Sequence, residues 1–279
     1  VRMLLSRRSL VVGVTNHRSL GWHIARELRR QRAAVTITYQ HSKQERTIEK
    51  LLEEEHAESD SSLPLLNALQ CDVSDGADIL RLRSQFDALD VLCHAVAFAS
   101  PTAMKHGLLG LPDSRAAGSL QDLEALRGAW TQAFDVSVFS LVALAREFQP
   151  ILSETASITT LSYLGAERAV PGYSVMGPAK AALEATVRGL ALELGASGPR
   201  VNAISAGPVD TVSARGIAGF RDLRDDAAKA VPRGSHPSPE EVARVAAFLS
   251  GPLSSGISGQ VIYVDGGFSA GSFRPANSR

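Results

Sequence analysis

Short runs of Val, Ile and Leu alternate along the chain with longer stretches whose apolar residues recur every three or four positions. SLVVGV (9–14) is followed by an amphipathic stretch from Leu20 to Arg32, and AVTITY (34–39) by a charged one from Lys43 to Glu58. NALQCDV (67–73) leads into a helical pattern from Asp75 to Leu89, and DVLCHAVAFA (90–99) follows. A long helix is predicted from Leu120 to Phe148, then a strand at SITTLS (157–162). The segment after Tyr173 reads as helix to about Leu194, VNAIS (201–205) as strand, PSPEEVARVAAFLS (237–250) as helix and QVIYVDGG (260–267) as a closing strand.

Strands apolar on both faces and separated by helices predict a parallel sheet covered on both sides. With right-handed crossovers this gives an α/β chain with a Rossmann-like, doubly wound and mostly parallel seven-stranded sheet. No internal repeat, heptad run or linker divides the chain, so residues 1–279 are expected to form a single domain. The acidic EEEHAESDSS (53–62) fits a solvated helix end and loop.

Composition narrows the function classes. Acids and bases balance at 29 each, so no global field recruits nucleic acid or an anionic membrane. Cys71 and Cys93 sit in strand-like runs without metal-ligand spacing, which predicts buried spectator thiols, no disulfide framework and no metal site. The basic, briefly apolar start VRMLLSRRSLVVGVT is too short for a membrane span and reads as a first strand, and no other run is expected to cross a bilayer. A cytoplasmic protein is expected, or an organellar one if a leader precedes Val1.

Ligands of doubly wound folds bind at the carboxyl ends of the strands. The first such end reads GVTNHRSLGW (13–22), where Gly13 and Gly21 flank a loop opening a helix, with Ser19 as a hydroxyl donor. The second ends at Gln40, which can bond ribose hydroxyls but brings no charge for a 2′-phosphate. Asp72 and Val73 follow the third strand as a polar group and an apolar wall for adenine, and AVAFA (95–99) gives a flat ring access to backbone. YLGAERAVPGYSVMGPAK (163–180) carries two tyrosines and a lysine. If both are helical, Tyr173 and Lys180 share a face, and the ammonium would lower the phenol's pKa.

With these residues in place, the chain resembles the bacterial-type enoyl-acyl-carrier-protein reductases of the short-chain dehydrogenase/reductase superfamily. The stretches that carry the likeness are LSYLGAERAVPGYSVMGPAKAALEA (161–185), RVNAISAGPV (200–209) and SGISGQVIYVDGGFS (255–269). General members of the superfamily place the lysine four residues after the tyrosine. The wider spacing from Tyr173 to Lys180, with YLGAERA, marks the enoyl reductases.

The resemblance implies reduction of trans-2-enoyl thioesters by NADH, rather than NADPH, in the elongation cycle of fatty acid synthesis. It makes Tyr173 the donor to the thioester oxygen, Lys180 the holder of the nicotinamide ribose, and Tyr163 a wall of the acyl pocket counted as catalytic. Gly13, Ser19 and Leu20 would hold the pyrophosphate, Gln40 the adenosine end, Asp72 and Val73 the adenine, and Val96 the nicotinamide ribose. Val209, Asp210, Thr211, Val212 and Ser213 would meet the carboxamide and phosphates, and Ala99 the substrate. A homotetramer is implied, with an acyl carrier protein as substrate carrier. Residues 207–230 would form a lid whose Arg215, Arg221 and Arg224 face the acidic carrier, diluted by Asp210, Asp222, Asp225 and Asp226.

The chain departs from the family pattern at four places. Pro178 falls between Tyr173 and Lys180, so the helix there starts late or bends. Ala97 replaces a glycine, Asp210 stands where a basic residue is common, and the loop at about 100–120 is longer. Two other readings compete: a short-chain dehydrogenase acting on a carbonyl or alcohol, such as a 3-oxoacyl thioester, and a nucleotide-binding regulator without catalysis. The tyrosine-to-lysine spacing opposes the first, and the retained Tyr163, Tyr173 and Lys180 oppose the second.

Overall fold

The computed structural model describes residues 4–105, 107–110, 119–211, 225 and 227–271. Seven strands, β1 (Arg8–Val12), β2 (Ala34–Tyr39), β3 (Leu66–Gln70), β4 (Leu89–His94), β5 (Leu152–Tyr163), β6 (Arg200–Ala206) and β7 (Val261–Val264), form one sheet in the order β3-β2-β1-β4-β5-β6-β7. Every neighbouring pair is parallel, so the sheet is wholly rather than mostly parallel. The order reverses between β1 and β4, which opens a crevice at their carboxyl ends.

The strands are apolar on both faces because both faces are covered. Val11, Val35, Ile37, Val91 and Ile204 pack with α1 (Leu20–Arg30), α2 (Ser42–Glu58) and α8 (Pro239–Ser250). Leu10, Val12, Leu92, Ile158 and Val201 pack on the other side with α3 (Gly76–Arg83), α6 (Ser140–Phe148) and α7 (Met176–Gly195). Cys71 and Cys93 are free, buried thiols, as their strand-like surroundings predict.

The sequence pattern overruns several strands. β4 stops at His94 and β3 at Gln70, so Ala95 to Ala99 and Cys71 to Val73 leave the sheet as cavity-lining loops. The continuous helix predicted from Leu120 to Phe148 is also interrupted. It divides into α5 (Leu120–Phe134), a π-helical turn (Asp135–Phe139) and α6. No Pro or Gly marks the break, which is why the pattern did not reveal it. The stretch Leu120–Ile151 is long and apolar enough to span a bilayer by composition, a feature the sequence reading passed over; here 44% of its most apolar window is buried as a core helix.

Pro178 sits in the first turn of α7, where its missing N–H is tolerated. The helix therefore starts late, and Tyr173 lies in the turn before it rather than on its face. The loop at 100–120 begins with a short α4 (Pro101–Lys105), while residues 106 and 111–118 lie outside the described residues. So does most of the expected lid, 212–224 and 226, including Arg215, Arg221, Arg224, Asp222 and Asp226.

Candidate active site

A cavity of about 1300 Å³ occupies the crevice at the strand ends. One wall begins at Gly13, whose φ of +99° only glycine adopts freely. A Cβ there would lie 2.7 Å from both the Ala95 carbonyl oxygen and Val96 Cγ2, so the ends of β1 and β4 meet only because this residue has no side chain. The loop beyond is preformed. Asn16 Oδ1 accepts the Arg18 N–H at 2.8 Å, and the Ser19 hydroxyl donates to the Asn16 carbonyl at 2.6 Å. Ser19 and Leu20 then enter α1 on the cavity wall.

The far end is polar. Gln40 Nε2 donates to Asp72 Oδ2 at 3.1 Å, tying the end of β2 to the end of β3. Asp72 Oδ1 accepts the Ser74 hydroxyl at 2.7 Å. Burial works against the Asp72 anion, but the bonds from Ser74 and Gln40 prevail and its pKa lies below the usual carboxylate value. Val73 stands beside it as the apolar wall.

The middle is framed by a buried polar network that the sequence reading missed. His94, 1% exposed, places Nδ1 2.8 Å from Thr160 Oγ1 and Nε2 2.8 Å from Ser140 Oγ. The Ser140 hydroxyl donates to the Val136 carbonyl at 2.7 Å and the Thr160 hydroxyl to the His94 carbonyl at 3.3 Å, so the ring sits between two hydroxyls that are themselves anchored to backbone. Burial, with help from the Lys180 charge, pushes the His94 pKa down to about 3, which keeps the ring neutral. In the π turn, the Ser137 hydroxyl accepts the Phe98 N–H at 3.0 Å and donates to the Phe98 carbonyl at 3.2 Å. These two hydrogen bonds fix the backbone of Phe98 in the loop from which Val96 and Ala99 line the cavity. Nothing in the local sequence around His94, Ser137 or Ser140 carries a distinctive signal for this network.

The remaining end gathers Tyr163, Tyr173 and Lys180. The two tyrosine rings meet edge to face, with centroids 4.9 Å apart and planes at 65°. Gly165 makes room for them, because a Cβ there would fall 2.4 Å from Tyr173 Cδ1. Ser174, at φ +42°, turns the chain into α7 and donates to the Ala103 carbonyl at 2.6 Å, joining this corner to α4. Lys180 Nζ donates to the Leu161 carbonyl at 2.6 Å. The tyrosine–lysine spacing predicts that the ammonium lowers the Tyr173 pKa. Instead burial, with Tyr163 adding to it, pushes the phenol up, so Tyr173 is a neutral hydrogen-bond donor. Burial also lowers the Lys180 pKa to about 8.

Of the residues expected after β6, Val209 and Thr211 face the cavity and Asp210 does not. Val212 and Ser213 lie outside the described residues. Among the described residues no group of His, Cys, Asp and Glu is placed to hold a metal. The cavity suits a dinucleotide by its own features: a side-chain-free approach at Gly13, a helix N-terminus at Ser19, and paired polar groups at Gln40 and Asp72.

Residues 13–269 match the family model described as enoyl-(acyl carrier protein) reductase. A NADH-dependent enoyl-[acyl-carrier-protein] reductase FabI of Nostoc sp. is 39% identical over 268 residues, covering 95% of this chain and 97% of the relative. The crystal structure of the Bacillus cereus enoyl-acyl carrier protein reductase, with NADP+ and an indole naphthyridinone, has a TM-score of 0.86 at 34% identity, covering 98% and 100% of the two chains. The Anaplasma phagocytophilum reductase solved with NAD has a TM-score of 0.84 at 31% identity, covering 98% and 97%. Sequence, fold and the tyrosine–lysine corner agree: the chain belongs to the enoyl-(acyl carrier protein) reductase family.

Proposed function

We propose that this chain reduces trans-2-enoyl thioesters of acyl carrier protein to saturated acyl thioesters with NADH, in the elongation cycle of fatty acid biosynthesis. The observation that carries the reading is the convergence of Tyr163, Tyr173 and Lys180 on one cavity that also holds the dinucleotide-type strand ends. When bound, NADH supplies the hydride for the β-carbon of the substrate. The protein then has to stabilise the negative charge that gathers on the thioester oxygen, and orient both partners.

Tyr173 is the residue for that oxygen. Its phenol stays protonated because burial disfavours the phenolate, so it donates a hydrogen bond where charge develops. Lys180 offers its ammonium to the nicotinamide ribose hydroxyls, and Val96 packs beside that ribose. Tyr163 and Ala99 shape the acyl side. Gly13, Ser19, Leu20, Val209 and Thr211 hold pyrophosphate and carboxamide, with Gln40, Asp72 and Val73 at the adenosine. Val212, Ser213 and a lid over 207–230 belong to the same reading, within one domain.

Cofactor preference follows from Gln40, which is neutral and bonded to an anionic Asp72, an environment that favours a ribose hydroxyl over a 2′-phosphate. Comparing kcat/KM for NADH and NADPH tests it, and a clear preference for NADPH overturns it. The exposed Leu123, Phe139 and Leu192 on the two long helical stretches offer apolar surface for the homotetramer of this reading, which sedimentation would test.

The deciding experiment measures NADH oxidation with crotonyl and longer enoyl thioesters and identifies the product. Saturation of the C=C bond is expected. An alcohol as product, or no turnover with any enoyl thioester, overturns the reading.

A further inference from the structure

Helix α7 grips the end of β5 at two successive residues. Lys180 Nζ donates to the Leu161 carbonyl at 2.6 Å, and one turn later the Glu184 carboxylate accepts the Ser162 hydroxyl at 2.5 Å. Both side chains are buried, at 5% and 6% exposure. Residues four apart on a helix are neighbours, about 5–6 Å between Cβ atoms. An ammonium buried without a counter-charge is costly and tends to lose its proton. Glu184 is the anion whose field reaches Lys180, and among the described residues nothing else opposes the effect of burial on it.

We propose that Glu184 is a positioning residue for Lys180: its buried carboxylate, fixed by the Ser162 hydroxyl one turn along α7, keeps the ammonium charged for the cofactor ribose while the Leu161 carbonyl holds it at the strand end. The inference rests on the reading above, in which Lys180 holds that ribose.

The surroundings leave this pairing in control of the alkaline side. From β4, His94 faces Lys180 as a neutral ring, with its pKa pushed down to about 3. Tyr163 and Tyr173 are pushed up by burial and stay neutral. Around Glu184, Glu167 from the turn after β5 repels it, and Arg188 on α7 attracts it. Tyr263 from β7 is itself pushed up, by burial first and then by Glu167, Glu184 and Asp265. Burial raises the Glu184 pKa above the ordinary carboxyl value, against the Ser162 bond, so its own charge is lost on the acid side. Burial has lowered Lys180 to about 8, so its charge is lost as pH rises through that value.

The test is NADH affinity, read by nicotinamide fluorescence from about pH 6 to 10, together with kcat and KM for an enoyl thioester. Glu184→Gln keeps an acceptor for Ser162 and removes only the charge. It should move the midpoint of the alkaline loss of NADH affinity down by roughly one pH unit. The loss would then be concentrated above about pH 7 and appear in the KM for NADH more than in kcat. Glu184→Asp should restore part of the shift. Ser162→Ala, which frees the carboxylate, should shift the midpoint the same way by less, and decides the matter if Glu184→Gln does not fold. An unmoved midpoint, with affinity lowered equally at every pH, would reduce Glu184 to packing and overturn the inference alone. Wild-type protein that binds no NADH would instead overturn the proposed function and this inference with it.

Discussion

The two ends of the cavity are built from similar polar side chains held in opposite ways. At the end proposed to take the adenosine, Gln40 and Asp72 bond to each other near the surface, and Asp72 remains a ready anion. At the reacting end, Tyr173, Lys180 and Glu184 are buried, and every one of them has its pKa moved toward the neutral form. Water screens the first pair, so its contacts are worth little each and act on binding. The second group has lost that screening, so each charge or donor there acts strongly on its neighbours and on a developing oxyanion. Changes at the reacting end should therefore alter turnover and pH dependence, while changes at the adenosine end should alter affinity alone.

The largest expected effect comes from Tyr173→Phe. Removing the phenol hydroxyl while keeping the ring should lower kcat by about 10²–10³ and leave NADH binding near wild type. Stopped-flow turnover beside cofactor titration checks this, and equal loss of both would erase the contrast between the two ends. Gly165→Ala comes next. Its Cβ would press within 2.4 Å of Tyr173 Cδ1, forcing the ring to move, and a displacement of that kind can cost up to about 10² in kcat/KM. A variant with unchanged kinetics would mean that the ring pair tolerates displacement.

The third effect needs no mutation. The Lys180 pKa is lowered to about 8, so its charge is present below that pH and vanishes above it. NADH affinity should hold to about pH 7 and fall several-fold by about pH 9, as a binding titration would record. A flat profile would remove the lysine from the ribose. The smallest effect belongs to Gln40→Ala, which deletes an exposed hydrogen bond of about 1 kcal/mol. It should raise the KM for NADH by about two- to tenfold without changing kcat. A large fall in kcat there would contradict the division between the ends.

The element order was legible along the chain, since strands covered on both faces must be apolar throughout and helices between them must be amphipathic. So were the strand ends that line the cavity and the tyrosine–lysine spacing that distinguishes this family, because both are local features of the chain. Tertiary structure decided the rest. The late start of α7 puts Tyr173 in a turn, and burial reverses the expected direction of its pKa, a quantity set by what packs over the ring rather than by its neighbours in sequence. The neutral His94 between Thr160 and Ser140 and the clasp of Ser137 on Phe98 join residues 39 to 66 positions apart. No local pattern records such pairs, because a hydroxyl buried in a helix looks like any other serine until the strand it bonds has packed against it.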